Sequence, residues 1–230
     1  MSPQILNFGL ILLPEFQWLD AAGPVDYINN HSYGIISEFR SLPQSLIDKA
    51  PIIKWHYISS DLRPVQPTSG PTQNPTCTFE DCPALDYIVV PGPDPTITAP
   101  KGFVPFIQKR IADPQLKALL MVCTAALIVA QAGVLDGLQV CSNKLALRFL
   151  SGKGFLNKFN KIKWVKDKRW TVDGKIWSSA GITSGIDLAA EFARVHFDAA
   201  IVELAKDGAE FEPKPAQPDP FARILEGVDL

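Results

Sequence analysis

Residues 117–135 read KALLMVCTAALIVAQAGVL, an apolar run with one cysteine near its middle. The part before Cys123, residues 117–122, is short and almost continuously apolar, which is typical of a parallel strand covered on both faces. The part after it, residues 124–135, has the length and composition of a buried helix, and Gly137 suits the left-handed position after a helix end. This stretch therefore predicts a strand, a turn at Cys123 and a helix.

Similar apolar runs towards the N-terminus predict more strands of the same kind. Between them the sequence predicts two helices, and in the first of these Gly23-Pro24 would place the regular part after that pair. The loop at 61–83 is rich in Pro and Thr and has room for one short strand. The predicted strands lie at 6–13, 52–59 and 86–90, and the predicted helices at 19–30 and 102–112.

The C-terminal part of the sequence also predicts strands that alternate with helices. Residues 142–150 predict a short helix, and residues 164–165 and 170–179 predict strands, the latter pair joined by the hairpin turn Asp173-Gly174. A long helix is expected over 183–206, where Ser184 and Asp187 resemble a capping box. Strands alternating with helices predict an α/β fold, a mostly parallel central sheet between two helical layers.

The 230 residues suit one domain, with an insertion at about 31–51 and a Pro-rich tail at 208–230. The remaining residues 1–207 would form the domain itself. Hydrophobic residues make up 47% of the chain, charged residues 20%, and the net charge is −2. This composition is that of an ordinary globular protein, and it indicates neither nucleic acid nor a membrane as partner.

Two local features have more than one interpretation. The basic, aromatic segment 153–169 is better explained by a solvated hairpin with its aromatic residues in the core than by a nucleic-acid patch. The small-residue segment SSAGITSG, residues 178–185, is explained by close backbone packing, with pocket lining as the alternative.

The chain has four cysteines, Cys77, Cys82, Cys123 and Cys141, which is too few for a disulfide framework and indicates a cytoplasmic protein. Cys77 and Cys82 would need two further ligands to hold zinc, and the three histidines are scattered along the sequence. We therefore expect no metal and no cofactor. No apolar run reaches about 18 residues, and the N-terminal apolar stretch lacks a basic leader, so it is interpreted as a first core strand.

The position of Cys123 is open to two interpretations. A cysteine before a helix N-terminus meets free backbone amides and the helix dipole, which favour the nucleophilic thiolate. Free cysteine is also among the most buried residue types, however, and the glycines of a strict nucleophile elbow are replaced by Met121 and Ala125. The pattern alone favours a buried, inert thiol.

Four segments in order change that balance. They are LLPEFQWLDAAGPVDYI (12–28), YIVVPGPDP (87–95), MVCTAALIVAQAGVLDG (121–137) and RWTVDGKIWSSAGITSGID (169–187). In sequence, order and spacing they resemble the conserved blocks of the DJ-1/PfpI superfamily, above all its isonitrile hydratase-like and fungal-type members. The resemblance implies a flavodoxin-like α/β/α sandwich.

The resemblance also implies roles for single residues. Cys123 matches the nucleophilic cysteine, Asp20 the acid that hydrogen-bonds it and transfers a proton, and Thr124 a substrate-facing threonine. Gly92 matches the first glycine of a turn near the nucleophile. For Asp20 the alternative is a helix N-cap.

Departures from the family pattern surround this predicted site. Pro93 stands in place of a second glycine and has no N–H, so the amide of Thr124 or Asp94, or a side chain, would have to stabilise an oxyanion. Asn143 stands where relatives often carry histidine. We therefore expect Gly92, Pro93 and Asp94 to bind substrate, with Phe16 covering the pocket.

The resemblance predicts a cysteine-dependent small-molecule enzyme, an isonitrile hydratase-like hydratase or lyase with a Cys-Asp dyad. The alternatives are a biosynthetic cyclase, isomerase or lyase using the same residues, or a non-enzymatic redox or ligand sensor. A homodimer is expected from the family. Its only other partner would be the small-molecule substrate.

Overall fold

The computed structural model describes residues 2–230. Nine strands lie within these residues: β1 (Ile5–Ile11), β2 (Ile52–Ser59), β3 (Cys77–Thr78), β4 (Tyr87–Val90), β5 (Ala118–Met121), β6 (Gln139–Val140), β7 (Lys163–Trp164), β8 (Trp170–Asp173) and β9 (Ile176–Ser179). Seven of them form one sheet in the order β3-β2-β1-β4-β5-β9-β8. Only β8 in this sheet is antiparallel to its neighbour, and β6 and β7 form a separate parallel pair.

Eight α-helices lie within the same described residues, six of them between strands and two after β9. They are α1 (Trp18–Asn29), α2 (Tyr33–Ile36), α3 (Gln44–Ile47), α4 (Phe103–Ala112), α5 (Ala125–Val129), α6 (Lys144–Gly152), α7 (Ser184–His196) and α8 (Ala199–Ala209). Short 3-10 turns lie at 130–132, 155–159 and 222–225. The segment 31–51, predicted to be an insertion, holds two short helices, α2 and α3.

The central sheet is covered on both faces. Along β5, Leu119 and Met121 pack into one hydrophobic cluster, which includes α4 and α5, and Leu120 packs into the other, which includes α1 and α7. Every residue of β4 and β5 is buried, which explains why these strands are apolar without alternation. The predicted α/β/α sandwich with a mostly parallel sheet is confirmed.

Three predicted helices differ from the observed ones. The first, α1, runs through Gly23-Pro24 because it packs on α7, where a Cβ at residue 23 would lie 2.7 Å from Ile186 Cγ1. Packing thus outweighs the proline. The helix after Cys123 is shorter than expected, because it ends in a 3-10 turn that is followed by Gly133 at φ 70°. Gly137 is left-handed as predicted, with φ 79°, but it lies beyond the end of the helix.

The long C-terminal helix is two helices. Its predicted course is interrupted after His196, and the Asp198 side chain caps α8 by accepting a hydrogen bond of 3.0 Å from Ala200 N–H. No capping box begins α7: Ser184 Oγ donates to the Gly181 carbonyl, and Asp187 forms a buried ion pair with Arg169. The basic segment 153–169 is a 3-10 turn leading into β7, with Phe159 and Trp164 buried.

Candidate active site

Cys123 lies at the carboxyl edge of the sheet, between β5 and α5. Its backbone is left-handed, with φ 63°, a conformation that costs a non-glycine residue about 1–3 kcal/mol. Two donors hold its carbonyl in place, Ser142 Oγ at 2.8 Å and Asn143 N at 3.2 Å. The chain therefore makes a strained turn at the cysteine without the flanking glycines of a nucleophile elbow.

Asp20 lies in the first turn of α1 and is completely buried. The Gly92 amide donates to its Oδ2 at 3.1 Å, while Oδ1 has no partner of full hydrogen-bonding geometry among the described residues. Burial raises the pKa of Asp20 to about 7, and the hydrogen bond from Gly92 and the nearby Cys123 thiol offset only part of that effect. Near neutral pH this carboxyl can therefore both hold and release a proton.

The thiol of Cys123 is buried beside this carboxyl. Burial, followed by the negative charge of Asp20, raises the pKa of Cys123 to about 11. The backbone amide of Ile182, the Asn143 side-chain amide at 3.4 Å and the Thr124 amide oppose this shift. The expectation of a thiolate favoured by the helix N-terminus is therefore not met, because desolvation outweighs the donors.

The position of Gly92 allows these groups to meet. A Cβ there would lie 2.4 Å from Thr124 Oγ1, 2.8 Å from Thr124 N and 2.9 Å from Asp20 Oδ2. The Thr124 hydroxyl donates to the Pro93 carbonyl at 2.6 Å, so its hydrogen is engaged with the protein. The structure thus brings together all four residues that the resemblance singled out.

A cavity of about 320 Å³ opens above the thiol. Pro93 and Asp94 line it as expected, but Phe16 does not, because its side chain is fully buried in the core cluster next to α1. The complete lining is Glu15, Gln17, Thr68, Gly92, Pro93, Asp94, Cys123, Thr124, Asn143 and Ile182.

Asn143 and Ile182 are the contributions that the sequence analysis missed. Asn143 was noted only as a departure from the family pattern, yet its Nδ2 faces the thiol while its Oδ1 accepts from Ala146 N–H at 3.0 Å and caps α6. Ile182 belongs to the segment 178–185. For this segment the sequence offered two interpretations, close packing and pocket lining, and both apply. Gly181 and Ile182 line cavities, whereas Gly185 packs closely against Val122.

The charged side chains of this cavity are acidic. Glu15 and Asp94 line it, and hydrogen bonds from Thr96 lower the pKa of Asp94, which keeps that carboxylate ionised. No lysine, arginine or histidine is part of the lining given above. The electrostatics therefore disfavour anionic ligands.

Within residues 2–230, no group of three or more His, Cys, Asp or Glu side chains is arranged to hold a metal ion. None of the helices described there is long and apolar enough to cross a membrane.

The fold is a flavodoxin-like α/β/α sandwich, and a buried cysteine and a buried aspartic acid lie together at the carboxyl edge of its sheet. These features define the class as proteins of this fold with a cysteine in the candidate active site. The chain belongs to the DJ-1/PfpI family, whose sequence pattern matches residues 10–195. It is 31% identical over 212 residues to an isonitrile hydratase of Pseudomonas putida, covering 91% of this chain and 80% of that protein.

Other relatives have different roles or show the fold alone. The HTH-type transcriptional regulator CdhR of Pseudomonas aeruginosa is 25% identical over 202 residues, but this chain spans only 54% of its length. A ThiJ/PfpI family structure from Pseudomonas syringae superposes with a TM-score of 0.71 at 22% identity, covering 93% of this chain and 78% of that one. For Drosophila melanogaster DJ-1beta the TM-score is 0.64 at 15% identity, with coverage of 92% and 100%.

Proposed function

We propose that this protein is a cysteine-dependent hydratase that adds water to an isonitrile. The observation that carries the proposal is the buried Asp20 carboxyl, with a pKa of about 7, beside the Cys123 thiol that lines an open cavity. A hydratase of this kind needs a nucleophile and a group that moves protons near neutral pH. The similarity to the isonitrile hydratase supports the choice of substrate class.

The reaction begins with the thiol protonated and Asp20 ionised. Asp20 accepts the thiol proton as sulfur forms a bond to the isonitrile carbon, and it then delivers that proton to the same carbon. The product of this step is a thioimidate, Enz–S–CH=N–R. Water adds to its carbon, with Asp20 accepting a proton and returning it to nitrogen. Asp20 then accepts the hydroxyl proton of this adduct as the C=O bond forms and the C–S bond breaks, and it returns the proton to sulfur, which releases the formamide and the thiol.

The groups around sulfur have defined roles in this scheme. The amides of Ile182 and Thr124 and the side chain of Asn143 donate to the sulfur as negative charge develops on it. The thiol itself remains protonated until Asp20 removes its proton. Because Pro93 has no N–H and the Gly92 amide donates to Asp20, neither residue is assigned to oxyanion stabilisation.

A ligand sensor is the second candidate, and the similarity to the regulator CdhR is the observation that favours it. A peroxide sensor at Cys123 is less well supported, since a thiol with a pKa of about 11 is ionised to only roughly one part in ten thousand at pH 7. A lyase, cyclase or isomerase would use the same dyad on another electrophile. Hydration assays distinguish these functions.

The test is conversion of an alkyl isonitrile to the formamide by wild-type protein, Cys123→Ala and Asp20→Asn. Formamide is measured by mass spectrometry in H₂¹⁸O, where one labelled oxygen is expected in the product. Both variants should lose at least about 100-fold in kcat/KM. Cys82→Ala, which removes a half-buried thiol outside the cavity, is the matched control. Equal rates for wild type and Cys123→Ala would disprove the nucleophile.

We further propose a cytoplasmic, homodimeric protein. Four free cysteines support a reducing compartment, because thiols persist there without pairing. The dimer follows from the family resemblance. Light scattering of the purified protein tests it, and a monomer at micromolar concentration would exclude it.

A further inference from the structure

A second cavity, of about 300 Å³, lies next to the cavity above the Cys123 thiol. It is formed by the start of α6, the loop between β9 and α7, and the C-terminal segment 211–230. Its apolar lining side chains are Leu145, Ala180, Ile182, Phe221 and Ile224. The two cavities share Asn143 and Ile182 in their linings, and they adjoin each other at these two residues.

The C-terminal wall of this second cavity is fixed to the domain. Asp219 Oδ2 lies 2.5 Å from Lys144 Nζ, and both side chains are almost completely buried. Arg148 donates to the Ile224 carbonyl at 2.7 Å, and Leu225 is part of the main core cluster. The wall is therefore formed before any ligand binds.

The charges near the second cavity are paired. Lys144 is engaged with Asp219, and Arg169 with Asp187, so neither cation is available to a ligand anion. What remains for a ligand is mainly apolar surface. Such a cavity binds hydrocarbon groups, because burying each methylene group favours binding about fourfold.

We propose that the second cavity binds the apolar substituent of the substrate whose electrophilic carbon reacts with Cys123. The substrate would then be an uncharged isonitrile with a substituent of benzyl or hexyl size. Only the isonitrile group in this assignment rests on the proposed function. The two cavities together reach the ordinary volume of a small-molecule site, which is about 300–1,000 Å³.

The test uses alkylation of Cys123, which does not depend on hydration. N-methyl and N-hexyl iodoacetamide react by the same displacement: sulfur bonds to the CH₂ carbon, iodide leaves, and the thiol proton passes to buffer. Modification is followed at pH 8.5 on the peptide that contains Cys123. We expect the hexyl-to-methyl rate ratio, divided by the same ratio for glutathione, to be at least about 10.

Two lining variants and one control assign the effect. Leu145→Ala and Phe221→Ala alter exposed side chains that line the second cavity, and each should reduce the corrected ratio at least threefold. Phe149→Ala removes an exposed aromatic side chain from the same helix, α6, outside the cavity, and should leave the ratio unchanged. A corrected ratio near 1 in wild type, or equal ratios in all three variants, would overturn the proposal.

The same reagents separate this proposal from the proposed function. A high corrected ratio that falls in the lining variants, without turnover of any isonitrile, would support the subsite and disprove the hydratase. Turnover of methyl and hexyl isonitrile with equal kcat/KM, together with a corrected ratio near 1, would support the hydratase and disprove the subsite.

Discussion

At the scale of single residues, Asp20 and Cys123 influence each other's protonation in a buried place. Replacing Asp20 by asparagine removes the negative charge that raises the pKa of the thiol, so the thiolate should form at lower pH. We expect the midpoint of Cys123 alkylation by iodoacetamide, about 11 in wild type, to fall in Asp20→Asn, although burial, the larger cause, remains. Hydration should fall in the same variant, because the proton carrier is lost.

The two effects of Asp20→Asn have opposite signs, which makes the prediction specific. A variant with general damage to the site would lose both alkylation and hydration. A midpoint that does not move would show that the Asp20 charge does not act on the sulfur. The pH profile is measured by quenched mass spectrometry, with Cys82→Ala as the control.

Asp20 also makes stability depend on pH. Its pKa is about 7 in the folded chain and 3.8 as the reference value, so below about pH 4 both states are protonated and the residue contributes nothing. Between about pH 4 and 7 the unfolded chain ionises while the folded chain keeps its proton, and the free energy of unfolding falls as pH rises. Above about pH 7 the destabilisation is constant.

Asp20→Asn lacks this titration. Relative to wild type, its free energy of unfolding should rise between pH 4 and pH 8 by up to about 4 kcal/mol, from roughly 1.4 kcal/mol per pKa unit. Urea unfolding of both proteins at the two pH values measures the difference, in which other titrating groups largely cancel. A gap that narrows as pH rises would contradict a carboxyl that is protonated by burial.

At the scale of elements, the residue that caps helix α6 also contacts the thiol of the candidate active site. Asn143 Oδ1 caps the helix, and Asn143 Nδ2 donates to Cys123 Sγ. Asn143→Asp keeps the cap acceptor but places a carboxylate oxygen where Nδ2 now lies, 3.4 Å from sulfur, whereas Asn143→Ala removes both interactions. Losing the cap costs about 1 kcal/mol.

We therefore expect two different orders for these variants. Unfolding free energy should follow wild type ≈ Asn143→Asp > Asn143→Ala, measured in urea. The rate of Cys123 alkylation at pH 8.5 should follow wild type > Asn143→Ala > Asn143→Asp, because the new carboxylate disfavours thiolate. If both quantities rank the variants alike, Asn143 acts on the thiol only through the stability of the turn.

The elements show what local sequence can and cannot predict. Strands β4 and β5 were predicted because a strand buried on both faces must be continuously apolar. The course of α1 through Pro24 was not, because it depends on packing against α7, more than 150 residues away in the chain. The cysteine turn was located, but its high thiol pKa depends on burial and on Asp20, which sequence spacing does not reveal.

At the scale of the whole molecule, the C-terminal segment is attached to the domain. Within residues 208–230, predicted as a Pro-rich tail, Leu225 is buried and Asp219 is paired inside the protein. Lys214 N donates to Asp187 Oδ1 at 2.8 Å and Arg169 N to the Ala216 carbonyl at 2.8 Å. The Pro-rich composition gave no sign of these partners, since each lies far away in the sequence.

The Lys144–Asp219 ion pair should control this attachment. Lys144→Met leaves Asp219 buried without its cation, and Asp219→Leu leaves Lys144 with only the Lys168 carbonyl, 2.8 Å away, as hydrogen-bond partner. Each single substitution should destabilise the protein by about 3–5 kcal/mol. The double variant replaces both charges by apolar groups, so it should recover most of that loss.

Urea unfolding of the four proteins gives the coupling energy between the two positions. We expect the double variant to be more stable than either single variant. The corrected hexyl-to-methyl alkylation ratio should fall in the single variants and return in the double variant, because the wall of the second cavity depends on this attachment. Additive losses of stability would show that each side chain acts independently. An unchanged alkylation ratio would show that the wall of the second cavity does not depend on the ion pair.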